Sequence, residues 1–203
     1  MKIKEALKSE ILKEFLNDNY LNYDTLAEIS KVFSKNIPNS IKLEDLFKKE
    51  KYYLLKSDIR NQKFKRKYAP EKFSFSISDI GENFKKILYS VEFLVFLSFI
   101  IGKEIKKNNA NSFLFRHKDY TLLEDEESKN SFFEINIFFN DQWREDFGGY
   151  FLYTSKDEEV LRILPSENSL AIAFLDTNTK SFVKYVNTTS GKRANYFVKT
   201  IIL

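Results

Sequence analysis

The chain has 203 residues, of which 43% are hydrophobic, 31% charged and 16% aromatic, with a formal net charge of +4. That length buries one good core, and 21 Phe are available to fill it, which excludes a disordered chain and a second full domain. There is no Cys and His117 is the only histidine, so zinc ribbons, iron–sulfur clusters, thiol nucleophiles, disulfides and all-His metal sites within one chain are excluded.

The first stretch, MKIKEALKSEILKEF, is charged and helix-periodic. It lacks the apolar core of about 7–15 residues that a signal peptide carries, so the cytoplasm is the expected compartment. Ile3, Leu7, Ile11, Phe15 and Leu16 fall on one helical face, and Leu26, Ile29, Val32 and Phe33 repeat the pattern behind Asp24 and Thr25 as a start signal. Pro38 ends that second helix. The segment KYYLLKSDI at 51–59 reads as a short strand, and 60–70 as a polar, basic connection. A further helix opens at Ser78 or Asp79. The apolar run VEFLVFLSFII at 91–101 carries Glu92 and Ser98 and is far short of the about 20 residues that span a bilayer, so it reads as a buried helix within 90–105, broken at Gly102. Residues 1–110 hold 22 Lys and Arg against 15 Asp and Glu, whereas 111–203 hold 11 against 14, so the surplus positive charge is N-terminal.

From Asn111 the texture changes to alternation. Phe113, Phe115, His117 and Asp119 share one face of a strand, followed by strands at 132–140, 149–154, 160–164, 169–175, 181–187 and 195–202. Turn signals lie between them at 140–141, 148–149, 165–166, 176–178 and 190–191. Short strands at this spacing with no helix between them predict a mainly β fold, a β-sandwich or a jelly-roll barrel, with residues 1–110 as a helical layer packed on a core of residues 111–203.

The sharpest chemical feature is His117-Lys118-Asp119. In a strand, residues i and i+2 point the same way, so an imidazole and a carboxylate converge on one cation. That pair is two thirds of the 2-His-1-carboxylate triad of non-haem Fe(II) enzymes. Taken alone the pair is far more often a histidine that packs or hydrogen-bonds beside an aspartate.

Its company adds weight. The segment LYSVEFLVFLSFIIG at 88–102, FRHKDYTLL at 115–123 with Asp125 and Glu126, Trp143 before GGYFLY at 148–153, Pro165 before Asn168, Ser169 and Leu170, SFVKYVN at 181–187, and Gly191-Lys192-Arg193 resemble, in order, the prolyl-hydroxylase-like branch of the 2-oxoglutarate- and Fe(II)-dependent oxygenases. The resemblance implies a double-stranded β-helix with Fe(II) held by His117 and Asp119. It also implies a 2-oxoglutarate carboxylate clasped by Arg193, with Lys192 as the fallback, since a guanidinium can donate two parallel hydrogen bonds to a carboxylate. The expected substrate is a prolyl residue of a protein or a small metabolite, hydroxylated at an unactivated C–H bond.

One departure stands out. The family's distal histidine falls near Val183 or Thr188, and neither is His. Three readings follow: a two-ligand iron site, a catalytically degenerate jelly-roll acting as a binding or regulatory module, or a shell completed by a residue such as Asn187 or an N-terminal carboxylate. The basic stretch Arg60, Lys63, Lys65, Arg66 and Lys67, with Phe64 and Tyr68 interleaved, reads as a solvated loop, and no nucleic-acid motif accompanies it. The acidic run at 124–127 reads as a solvated turn. Trp143 and Tyr150 line a pocket or fill the core.

Overall fold

The computed structural model describes residues 1–106, 109–122, 130–156 and 158–202. The acidic run at 124–127 lies outside the described residues. The helices are α1 Ile3–Ala6, α2 Glu10–Phe15, α3 Tyr23–Lys35, α4 Lys49–Arg60, α5 Glu82–Leu88 and α6 Val91–Ile101. Side chains fix several of their starts. Ser9 accepts from the Leu12 amide at 3.3 Å, Asn22 from the Asp24 and Thr25 amides at 2.8 and 3.2 Å, and Ser90 from the Phe93 amide at 3.2 Å. Helix α6 closes on Gly102, whose φ of 75° is the left-handed conformation glycine adopts at no steric cost. Among the described residues no helix is long and apolar enough to cross a membrane.

The strands are β1 Ser40–Leu43, β2 Lys65–Ala69, β3 Phe73–Asp79, β4 Ala110–Phe115, β5 Tyr120–Thr121, β6 Phe132–Phe138, β7 Phe151–Ser155, β8 Glu158–Ile163, β9 Ser169–Leu175, β10 Thr179–Val183 and β11 Asn195–Ile202. They form an eight-stranded antiparallel sheet in the order β1-β9-β6-β11-β4-β3-β2, with β5 beside β3, and a three-stranded sheet in the order β10-β7-β8. One face of the large sheet, with Phe133, Ile135, Ile137, Ile172 and Val198, packs on the helices. The opposite face, with Phe115, Phe138, Ala171, Ala173 and Phe197, packs on Phe151, Tyr153, Ile163 and Val183 of the small sheet. Two sheets closed over one interior, with helices outside the larger, are the jelly-roll, one of the two architectures the alternation allows and the one the resemblance implies.

Several local expectations are corrected. Residues 51–59 are helical, because Tyr52, Leu55, Lys56 and Ile59 are buried at the 3.6-residue period, which outweighs the short apolar look of YYLL. The basic connection contains β2, paired from Lys65 opposite Ile77 to Ala69 opposite Phe73; it is an exposed edge strand, where lysine is at home. Ser78 and Asp79 end β3 rather than start a helix, and α5 begins after Gly81. Strand β1 went unforeseen. Because β1, β2 and β3 join the large sheet, the division at residue 110 does not separate helices from strands.

Candidate functional site

The strand carrying the His117 motif stops at Phe115, two residues early. The Asp119 amide then bonds to the Arg116 carbonyl at 2.8 Å, and Lys118 takes a φ of 73°. The motif therefore sits on a tight turn, and the i, i+2 convergence of a strand does not apply to it. Two bonds fasten the turn to the segment after β10: the Lys118 amide donates to the Val186 carbonyl at 3.0 Å, and the Val186 amide to the Asp119 carbonyl at 2.9 Å.

Asp119 is completely buried, and both oxygens of its carboxylate are engaged. Oδ2 accepts from Arg66 Nη1 at 2.9 Å and from the Arg116 amide at 2.8 Å. Oδ1 accepts from Ser74 Oγ at 2.9 Å and faces Arg66 Nη2 at 2.6 Å, while that same Nη2 donates to Ser74 at 2.6 Å. A carboxylate offers about four acceptor positions; three hydrogen bonds occupy three of them, and Arg66 Nη2, whose hydrogen bond goes to Ser74, lies against the carboxylate as an ion-pair contact. The pairing raises the Arg66 guanidinium above its ordinary pKa, chiefly through its hydrogen bond to Asp119. Arg66 comes from β2 and Ser74 from β3, so the ion pair clamps this edge hairpin to the turn.

His117 is half-buried, its ring edge-on to Tyr185 with centres 6.5 Å apart. Its Nε2 is buried without a hydrogen-bond partner among the described residues. Val183 and Thr188 offer no imidazole. Val183 belongs to the apolar core, and Thr188 opens the 3-10 turn Thr188–Ser190. Asn187 donates to the Asp146 carbonyl at 2.9 Å. Among the described residues no group of three or more His, Asp or Glu side chains is placed to hold a metal ion. With three hydrogen bonds and a guanidinium against it, Asp119 is already held by the chain itself, and among the described residues no further ligands converge beside it, so this donor set does not fit an iron centre.

Arg193 and Lys192 lie elsewhere. Both are exposed, and the Arg193 guanidinium stacks on Phe147, 5.3 Å from the ring centre, in a pocket whose lining includes neither His117 nor Asp119. Trp143 is buried in the core, its indole donating to the Gly148 carbonyl at 2.8 Å, and Tyr150 carries the Arg162 guanidinium 5.0 Å from its ring centre. Gly148 and Gly149 both have positive φ, at 69° and 65°, and a Cβ on Gly148 would collide with the Tyr185 carbonyl oxygen. This turn carries the chain from one sheet to the other and is not a hairpin.

The space between the sheets is occupied. Phe197 packs on Phe113, Phe115, Phe138 and Phe151 with ring centres 5.2, 5.6, 6.1 and 5.0 Å away. Beyond these rings lies a second buried carboxylate, Glu134. It accepts from Lys199 Nζ at 2.6 Å, Asn136 Nδ2 at 2.8 Å, the Tyr153 hydroxyl at 2.8 Å and the Ser181 hydroxyl at 3.0 Å. Burial pushes its pKa up, but Lys199 and these hydrogen bonds outweigh that and hold it below the ordinary 4.5. Burial and the adjacent carboxylate push the Tyr153 phenol well above its ordinary range.

Arg66, Ser74 and the Glu134 cluster were not anticipated from the sequence. One sign was available: Glu134 and Asn136 stand between apolar residues in a strand buried on both faces, so their polar atoms need internal partners. For Arg66 there was none, because 53 residues separate it from Asp119.

Comparison with known proteins adds family evidence. Residues 76–200 match the family model described as oxoglutarate and iron-dependent oxygenase degradation C-term. A prolyl 3-hydroxylase of Xenopus laevis is 24% identical over 230 residues, covering 91% of this chain and 45% of that protein. A prolyl 3-hydroxylase of Mus musculus is 34% identical over 83 residues, covering 38% of this chain and 15% of that protein. The chain thus spans less than half the length of these curated relatives. Among solved structures, a Trichoplax adhaerens prolyl hydroxylase in complex with a hypoxia-inducible-factor peptide superposes with a TM-score of 0.69 at 12% identity, covering 90% of this chain and 93% of that one. A Pseudomonas putida prolyl-4-hydroxylase gives 0.67 at 10% identity, covering 87% and 97%. At these identities the likeness is one of fold.

Proposed function

Because the chain belongs to the oxoglutarate and iron-dependent oxygenase degradation C-terminal family, matched over residues 76–200, we propose that it is a jelly-roll binding module of a hydroxylase-type protein. The prolyl hydroxylases among its relatives support the hydroxylase-type setting, with a prolyl residue of a protein or a small metabolite as the substrate class. The binding role is carried by the engaged carboxylate of Asp119: the place a metal would take beside it is held by the Arg66 guanidinium. Here the His117 motif is a structural clamp, and the cytoplasm is the compartment we assign. The phenylalanines between the sheets and the engagement of Lys199 by Glu134 support the same role, because they leave no free basic group inside for a co-substrate carboxylate among the described residues.

A second reading is the 2-oxoglutarate- and Fe(II)-dependent dioxygenase itself, with His117 and Asp119 on the metal and Arg193 or Lys192 on the co-substrate. One observation favours it, the buried and unpartnered Nε2 of His117. Anaerobic addition of Fe(II) with 2-oxoglutarate to the purified protein separates the two. The binding module gives no visible charge-transfer band and no iron retained after gel filtration. A band that His117→Ala abolishes and Arg193→Ala weakens would establish the dioxygenase and overturn the binding role.

A further inference from the structure

Two loops at one end of the jelly-roll form a pocket of about 290 Å³ lined by Gln142, Trp143, Arg144, Phe147, Thr189 and Arg193. We propose that this pocket binds a phosphate monoester. It is assembled from residues that take no part in the Arg66–Asp119 clamp.

The loops are held in register by their own backbone. The Asn187 amide donates to the Phe147 carbonyl at 2.8 Å, and Thr189 Oγ1 and Asn187 Nδ2 both donate to the Asp146 carbonyl, at 2.6 and 2.9 Å. These bonds set the 3-10 turn Glu145–Phe147 against the 3-10 turn Thr188–Ser190. Phe147 and Trp143, edge-on with ring centres 5.5 Å apart, give the pocket a buried apolar floor. Two guanidinium groups flank that floor, with the Arg144 and Arg193 carbons 4.6 and 5.3 Å from the Phe147 ring centre. Stacking on an aromatic ring orients a guanidinium without using its N–H donors.

The donors differ in how free they are. Arg144 gives Nε and Nη2 to Asp146 at 3.0 and 2.7 Å, which leaves Nη1. No acceptor among the described residues engages the Arg193 guanidinium, so an oriented fork faces the pocket unmatched. Glu145 does not compensate it, being paired with Arg162. Arg144 is balanced by Asp146, whereas Arg193 has no carboxylate partner among the described residues. A phosphate monoester carries about −1.5 to −2 at neutral pH and three acceptor oxygens, enough to meet the free Arg193 fork and the remaining Arg144 Nη1 together. A single carboxylate, with two oxygens, would answer the Arg193 fork alone.

The test is an amide NMR titration of the whole chain at constant ionic strength, with inorganic phosphate as the first probe. Saturable shifts at 142–148 and 188–193 are expected. Arg193→Ala should weaken binding about tenfold, the loss of one charge-assisted pair, and Arg144→Ala less. Arg193→Lys keeps the charge and loses the fork, and should fall between wild type and alanine. Two monoesters then identify the source: binding of N-acetyl-phosphoserine amide but not glucose 6-phosphate points to a phosphorylated protein, and the reverse to a small metabolite. Either supports the pocket. Shifts that do not saturate, or that persist unchanged in Arg193→Ala, are screening by a general anion and overturn it.

Discussion

Asp119 and Glu134 are both fully buried carboxylates in this jelly-roll, each with a basic partner and hydrogen bonds to neighbouring residues. Asp119 stands on a turn and binds Arg66 and Ser74 from the edge hairpin β2–β3. Glu134 stands mid-strand between the sheets and gathers groups from β6, β7, β10 and β11. The first looks like a metal ligand because of the histidine two residues before it; the second has no motif around it. Their surroundings make them the same kind of object, a buried anion neutralised by the chain itself. A motif names residues that chemistry could use, whereas the donors around each oxygen decide whether a ligand can displace them.

Removing Glu134 should have the largest effect. Glu134→Ala leaves Lys199 and Tyr153 without their acceptor inside the barrel, and a loss of about 4 kcal/mol in urea unfolding is expected, as for a broken buried ion pair. Phe197→Ala should cost a similar about 3–5 kcal/mol by emptying the space between the sheets, with Glu134 and its partners untouched. If Glu134→Ala proves nearly silent, the carboxylate does not tie the sheets together.

Next comes the clamp at the turn. Arg66 is half exposed, so Arg66→Ala should cost less, about 2 kcal/mol, because water replaces part of the guanidinium's role. Faster amide exchange should be confined to β2, β3 and the turn at 116–119. Exchange spread over both sheets would mean that Arg66 does not act locally.

Acid sharpens the comparison further. Since the folded pKa of Glu134 lies below its ordinary 4.5, its network stabilises fully above that value and is lost as the pH falls through the folded pKa. Stability measured from pH 6 downward should therefore drop, and Glu134→Gln, though less stable throughout, should show a shallower acid limb. An unchanged limb would remove Glu134 from the acid response. The smallest effect belongs to His117→Ala, under about 1 kcal/mol, since no hydrogen bond among the described residues is lost with its Nε2.

Much of the fold was legible. Strands 169–175 and 195–202 match β9 and β11 because residues of high β propensity alternate between clear turn signals, and α6 was marked by Ser90 before it and Gly102 after it. The misread elements are those where tertiary contacts decide: YYLL at 52–55 becomes helical by packing against the sheet, and β2 becomes a strand because β3 offers it an edge. The site was legible as a set of residue types and not as an arrangement. Lys118 at positive φ ends the strand on which the convergence of His117 and Asp119 depends, and Arg66 reaches Asp119 across 53 residues of chain. Arg193 was singled out for a carboxylate inside the barrel, and it stands instead beside Arg144 at a surface pocket.

On the proposed reading the His117 turn is an ion-pair clamp and holds no metal. His117 is the only histidine, so its imidazole nitrogens give a single pair of signals in a long-range proton–nitrogen NMR spectrum. Recorded anaerobically with one equivalent of Fe(II) and excess 2-oxoglutarate, that spectrum should keep both signals unshifted and sharp. Paramagnetic broadening or displacement of the His117 signals at stoichiometric iron, absent for a control amide far from the turn, would contradict the clamp and restore His117 and Asp119 as metal ligands.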